Sequence, residues 1–211
     1  MTKSEILLSL LQKKIVPVIR GDNKEEAIRA SKACIEGGIS CIEVAYTNKD
    51  ASLIIESLTM QYQASQKALI GAGTVLDAET ARLAIMAGAQ FIVSPAFNPH
   101  TAIICNRYAI PYLPGCMTIT EITKALEYGC ELVKIFPGGT VGSSFIKALR
   151  SPLPQVRVMI TGGVNLDNAQ DWFKTGASAI GIGGEFNQLA KEGKFDQITE
   201  MAKKYTQLLN L

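Results

Sequence analysis

The stretch Leu132-Val133-Lys134-Ile135-Phe136-Pro137 reads as a short apolar strand with one lysine inside it, and Cys41-Ile42-Glu43-Val44-Ala45 reads as a second with one glutamate. Both are too short for a core helix, and each runs into turn residues. Outward from these two, a rhythm of apolar run, turn and amphipathic stretch repeats along the chain. The runs are 15–19, 41–45, 68–72, 91–94, 111–113, 132–136, 156–160 and 179–182, eight in all. Helical patterns such as 24–36, 78–87, 118–128 and 166–175 lie between them, and Gly37-Gly38, Gly88, Gly129 and Gly176 stand where a left-handed helix stop is wanted. Strands alternating with helices imply parallel pairing. Eight such units in 211 residues match a compact (β/α)8 TIM barrel. A doubly wound open sheet is the alternative, but the first strand leads into Arg20-Gly21-Asp22 and carries no G-x-G-x-x-G. An additional N-terminal helix precedes the barrel: Thr2 and Glu5 have capping-box spacing, and Ile6, Leu7, Leu10 and Leu11 share a face. No linker or low-complexity segment divides the chain, so residues 1–211 are expected to form a single domain.

Composition narrows the function classes. Apolar residues make up 47% and charged residues 19%, with a net charge of +2, the profile of a soluble globular protein. Lys and Arg are scattered, which argues against nucleic acid as a partner. No run of 18 uncharged apolar residues is present, and no signal core opens the chain, so neither a membrane span nor secretion is expected. The five cysteines form no C-x-x-C pair and are expected to be reduced thiols of a cytoplasmic protein. His100 is the single histidine, so a histidine-based metal site is not expected.

In such a barrel the active residues sit at the C-terminal ends of the strands. Those ends carry Arg20, Glu43, Gly71-Ala72-Gly73-Thr74, Ser94-Pro95, Pro114-Gly115-Cys116, Lys134, Thr161-Gly162-Gly163 and Gly181-Ile182-Gly183-Gly184. Burial in an apolar strand disfavours the charge of Lys134 and frees its amine to attack a carbonyl. For a lysine alone, snorkelling out at the strand end is the favoured reading. Glu43 changes the weighing: it shares a strand face with Cys41 and Ala45, and if that face is the barrel interior, Glu43 and Lys134 meet at the barrel mouth. A structural ion pair is the plain alternative, yet burying one gains little over apolar packing. A lysine nucleophile also needs a proton shuttle, and Glu43 is the acidic residue placed to supply it. Gly162-Gly163, before a helix expected near Leu166, and Gly183-Gly184, before another, suit a phosphate held by backbone N–H groups, or else make tight turns.

Taken together, these blocks resemble the 2-keto-3-deoxy-6-phosphogluconate (KDPG) aldolases, also described as 4-hydroxy-2-oxoglutarate (KHG) aldolases. The blocks that carry the resemblance are Val16-Pro17-Val18-Ile19-Arg20, Gly37-Gly38-Ile39 leading to Glu43-Val44, Gly71-Ala72-Gly73-Thr74-Val75-Leu76, Ser94-Pro95, Tyr112-Leu113-Pro114-Gly115, Lys134-Ile135-Phe136-Pro137 and Thr161-Gly162-Gly163-Val164. The resemblance implies a metal-independent class I aldolase with no cofactor, acting on a small keto acid as a homotrimer. In it Lys134 matches the Schiff-base lysine and Glu43 the acid/base glutamate. Thr74, Pro95 and Phe136 match the pyruvate half of the site, with Thr161 a further substrate contact. Gly162, Gly163, Gly183 and Gly184 match the phosphate turns. Two positions depart from the pattern. Thr47 stands where many members carry a carboxylate-binding arginine, a part that Arg20 could take over. Glu185 stands where many have Ser or Asn after the last glycine pair, a negative charge against a phosphate. A phosphosugar isomerase or epimerase, or a non-catalytic phosphosugar-binding barrel, are the competing readings, and fold alone does not separate them.

Overall fold

The computed structural model describes residues 1–62, 64–65 and 67–209. Its strands are β1 (Ile15–Ile19), β2 (Cys41–Ala45), β3 (Leu69–Gly73), β4 (Ile92–Val93), β5 (Tyr112–Leu113), β6 (Gly115–Cys116), β7 (Leu132–Ile135), β8 (Arg157–Thr161) and β9 (Ala179–Ile182). They form one sheet in the order β5-β4-β3-β2-β1-β9-β8-β7-β6. Every pairing is parallel. The two ends of that order are consecutive in the chain, separated by Pro114, so the sheet closes on itself as an α/β barrel.

Nine strands rather than eight result from the fifth being cut in two. Proline has no N–H for a ladder and favours strand breaks. Its carbonyl still accepts the Lys134 N–H at 2.8 Å, which carries the seam across to β7.

The helices are α1 (Lys3–Lys13), α2 (Lys24–Glu36), α3 (Ala51–Tyr62), α4 (Ala78–Met86), α5 (Pro99–Arg107), α6 (Ile119–Glu127), α7 (Gly138–Val141), α8 (Ser143–Leu149), α9 (Ala169–Lys174), α10 (Gly184–Lys191) and α11 (Phe195–Leu208). The Thr2–Glu5 capping box forms at the start of α1, and a second forms between Thr118 and Glu121 at α6. Gly38, Gly88, Gly129 and Gly176 take positive φ as helix stops. The helix expected near Leu166 begins later, at Ala169. Asn165 and Asn168 exchange side-chain-to-backbone hydrogen bonds of 3.0 and 3.1 Å, which hold the preceding segment as a turn; side chains of this type compete with helix.

Strand alternation sorts the core into two shells. Ile42, Val44, Val133, Ile135, Val158 and Ile160 pack outward against the helices. Val16, Cys41, Leu69, Phe91, Leu132, Met159 and Ala179 pack inward, and Ile6, Leu7 and Leu10 of α1 join them. The N-terminal helix is therefore a plug under the barrel. Cys41 and Leu132 face the interior, so the residues two positions on, Glu43 and Lys134, lie one layer higher on the same face.

Candidate active site

At that higher layer the inward apolar residues give way to polar ones. Lys134 is 5% exposed and Glu43 is fully buried. Lys134 Nζ lies 3.8 Å from Glu43 Oε1. Neither carboxylate oxygen of Glu43 has a hydrogen-bond partner among the described residues. A structural ion pair of lasting value has its remaining lone pairs satisfied; among the described residues this one does not. Burial pushes the Glu43 carboxyl above the ordinary carboxylate range, while the charges of Lys134 and Arg20 pull it back. The centroid of the Phe136 ring, in the turn directly after β7, lies 5.1 Å from Lys134 Nζ.

Small residues make room for this layer. A Cβ on Gly73 would overlap the Glu43 carboxylate, one on Gly71 the Phe91 ring, and one on Gly181 the Thr161 hydroxyl. That Thr161 hydroxyl is itself buried without a partner among the described residues. Thr74 follows β3 with φ +56°, a left-handed conformation uncommon for a non-glycine residue. It is bracketed by two bonds of its neighbour Val75, whose carbonyl accepts from buried Ser94 Oγ at 2.6 Å and whose N–H reaches Val93 O at 3.2 Å. Strain at one residue held by fixed neighbours is a feature of functional sites.

Above the pair opens a cavity of about 580 Å³, within the usual range for a small-molecule site. Lys134 forms its floor, with Thr74, Pro95, Phe136 and Thr161 around it; Gly162, Gly163, Gly183 and Gly184 line one side, and Arg20 stands at the rim. The candidates read from the sequence thus come together here, with Glu43 just beneath Lys134. Gly162 and Gly163 have φ of +89° and +78°, so their peptides turn in a way that side chains resist. Gly183 caps α10 and Gly184 begins it, which aims a helix N-terminus at the cavity.

The Arg20 guanidinium stands beside Gly183, where an added Cβ would lie 3.4 Å from its Nη1. Two asparagines hold its backbone. Asn187 Oδ1 accepts the Arg20 N–H at 2.8 Å, and Asn48 Nδ2 donates to the Arg20 carbonyl at 2.8 Å. Asn187 also donates to the Val18 and Gly183 carbonyls, at 2.7 and 2.6 Å. The bonds that reach Arg20 span 167 and 28 positions of chain, so no local pattern marks them. Thr47 and Glu185, the two departures from the family pattern, also line the cavity.

A closed parallel barrel with a buried lysine–carboxylate pair at its mouth defines a class: barrel enzymes able to act on a carbonyl compound. The comparisons make it particular. The family model for KDPG and KHG aldolases matches residues 6–201, and the chain belongs to that family. It is 34% identical over 210 residues to a 2-dehydro-3-deoxy-phosphogluconate aldolase of Treponema pallidum, covering 98% of both chains. It is also 34% identical over 174 residues to the 2-dehydro-3-deoxy-6-phosphogalactonate aldolase of Escherichia coli, covering 81% of this chain and 83% of that one. Among solved structures, the KDPG aldolase of Legionella pneumophila, with pyruvate captured as a covalent carbinolamine, superposes with a TM-score of 0.83 at 28% identity, covering 90% of this chain and 92% of that one. The protein is an aldolase, a carbon–carbon lyase, and the isomerase and non-catalytic readings fall away.

Proposed function

We propose that the protein cleaves a 4-hydroxy-2-keto acid through a Schiff base on Lys134, releasing pyruvate and an aldehyde. The substrates this favours are 2-keto-3-deoxy-6-phosphogluconate, which yields glyceraldehyde 3-phosphate, and 4-hydroxy-2-oxoglutarate, which yields glyoxylate. The observation that carries the reading is the buried contact between Lys134 and a Glu43 carboxylate that has no hydrogen-bond partner among the described residues. The covalent pyruvate adduct of the Legionella pneumophila relative supports it.

The steps proposed are these. Lys134 Nζ, as free amine, attacks the C2 carbonyl, and Glu43 supplies the proton with which the carbinolamine oxygen leaves as water. The iminium then draws electrons from the C3–C4 bond, while Glu43 takes the C4 hydroxyl proton and the aldehyde departs. Protonation of the enamine at C3 and hydrolysis return pyruvate and the amine. Thr74, Pro95, Phe136 and Thr161 enclose the pyruvate half next to Lys134. Gly162, Gly163, Gly183 and Gly184 offer N–H groups to the distal phosphate, and the Arg20 guanidinium beside Gly183 favours that end.

We further propose a homotrimer working in the cytoplasm. α3, α4 and α5 present Leu53, Met60, Leu83, Met86 and Ile103 as exposed apolar side chains on one stretch of the wall, a patch of the kind that marks association. Among the described residues no helix is long and apolar enough to cross a membrane.

Incubation with pyruvate and borohydride tests the chemistry. A reduced three-carbon adduct on the peptide containing Lys134 is expected, and Lys134→Ala should lose both adduct and turnover. Trapping that persists in Lys134→Ala would place the nucleophile elsewhere.

A further inference from the structure

The glycine-lined end of the cavity carries a carboxylate. Glu185 directly follows Gly183 and Gly184, lies in the first turn of α10 and lines the cavity. A free carboxylate there would oppose a phosphate dianion at close range. The structure gives that carboxylate a partner on the far side. Tyr205 of α11 is fully buried, and its hydroxyl donates to Glu185 Oε2. The Tyr205 ring is wedged against Phe186, with centroids 5.7 Å apart, so the donor arrives from a packed position in the helical layer outside the barrel. A buried phenol hydroxyl needs an acceptor, and Glu185 supplies it. The backbone N–H of Glu185 stays at the helix N-terminus, and its charge there also favours the positive end of α10. A Cβ added at Gly184 would meet nothing within 4 Å, so the space above the helix start is open.

We infer that Tyr205 is a specificity-determining positioning residue, which ties the Glu185 carboxylate into the helical layer and so leaves the glycine-lined end of the cavity able to accept a phosphate. The inference rests on the proposed retro-aldol reading, with the phosphorylated acid among its substrates. It makes Glu185 tolerable only while Tyr205 holds it.

A double-substitution cycle tests it, reading KM for the phosphorylated and the unphosphorylated 4-hydroxy-2-keto acid side by side. Tyr205→Phe keeps the ring and removes the donor. It should raise KM for the phosphorylated acid by about tenfold, ~1.4 kcal/mol, with kcat and the KM for the unphosphorylated acid little changed. Glu185→Ser alone should change the phosphorylated KM only modestly. The combined variant Tyr205→Phe/Glu185→Ser should return close to the wild-type value, a rescue that a merely structural tyrosine would not show. Binding of inorganic phosphate, followed by calorimetry, should move in parallel without any turnover.

Equal losses on both substrates in Tyr205→Phe, or no rescue in the combined variant, overturn the inference. So does a gain of ~100-fold or more, about 2.7 kcal/mol, in Glu185→Ser, a variant that needs no change at Tyr205; it would show Glu185 already opposing the phosphate. A wild-type protein that cleaves the unphosphorylated acid but neither cleaves the phosphorylated one nor binds phosphate overturns the inference and leaves the lysine chemistry standing. A protein that traps no pyruvate fails at the retro-aldol reading instead.

Discussion

Gly73 and Glu43 lie diagonally across neighbouring strands, so close that a Cβ on Gly73 would overlap the Glu43 carboxylate. In the β2–β3 register Gly73 pairs with Ala45, two residues beyond Glu43 on the same strand face. The missing side chain is thus the space in which the carboxylate sits beside Lys134. Gly73 is not among the residues with positive φ, so alanine fits its backbone and the clash is with the carboxylate.

Gly73→Ala should therefore displace Glu43 with modest damage to the fold. Overpacking of this kind costs about 1–3 kcal/mol, whereas losing a positioned acid–base group costs roughly 10²–10⁴ in rate. The turnover number should fall by about 10² or more, with the pyruvate adduct still detectable. Thermal unfolding and steady-state kinetics on the same sample check it, and unchanged kcat would mean that the position of Glu43 is not critical.

The residues themselves show what a sequence can and cannot disclose here. The bounds of β1, β2, β9 and α2 follow directly from apolar runs and helical spacing. Lys134 and Glu43 stand out because a charge inside an apolar strand contradicts its surroundings. The run 111–113 marks β5, but Gly115-Cys116 reads only as the segment beyond the strand end, because two residues after a proline make no apolar run long enough to mark β6. α9 starts at Ala169, later than the helical pattern near Leu166 suggests, because the Asn165–Asn168 turn imitates the beginning of a helix. Asn187 and Tyr205 were invisible for another reason: Asn187 meets Arg20 across 167 positions of chain, and no local pattern encodes a contact made by closing the barrel.

Burial of Glu43 gives the enzyme a pH signature. Its carboxyl is pushed above the ordinary value of 4.5 by desolvation, against the pull of Lys134 and Arg20. The base form that the proposed cleavage uses is then lost from a higher pH than for an exposed glutamate. The acid limb of kcat/KM should have an apparent pKa above 4.5, a value belonging to the Glu43–Lys134 pair. For stability the sign is opposite to that of a salt-bridged surface carboxylate. The raised pKa favours the neutral form in the fold, so its contribution is full below the unfolded pKa and is lost as pH rises through the folded one. Glu43→Gln should remove the acid limb and lower kcat by roughly 10²–10⁴. A pH profile identical to the wild type would exclude Glu43 as the titrating group.

The apolar wall is tested by charge. Met60 and Met86 are 77% and 68% exposed, and Leu83 is 56% exposed. Leu83→Glu/Met86→Glu places two carboxylates on α4 in the middle of that face and touches nothing in the cavity. Sedimentation should show three-protomer particles for the wild type and single protomers for the variant. A variant that keeps the wild-type mass would move the contact to another face.

Asn187 offers a way to separate binding from chemistry. Its side chain accepts from Arg20 N–H and donates to the Val18 and Gly183 carbonyls, so it ties the end of β1 to the start of α10. Those are the two elements that present Arg20 and the last glycine pair to the cavity. Lys134 and Glu43 are carried by β7 and β2, with no bond to Asn187. Asn187→Leu removes all three contacts and leaves carbonyls and an N–H to find water, at about 1 kcal/mol per lost hydrogen bond. Arg20 and Gly183 should then drift, which raises KM for the phosphorylated acid by about tenfold while kcat and pyruvate trapping stay near wild type. Asn187→Asp keeps the acceptor for Arg20 N–H but sets a carboxylate against two carbonyl oxygens, and should also raise KM. A fall in kcat at unchanged KM would show instead that this brace governs the chemical step, with strain passing from β1 through the Val18–Glu43 register of the sheet to the proton shuttle itself.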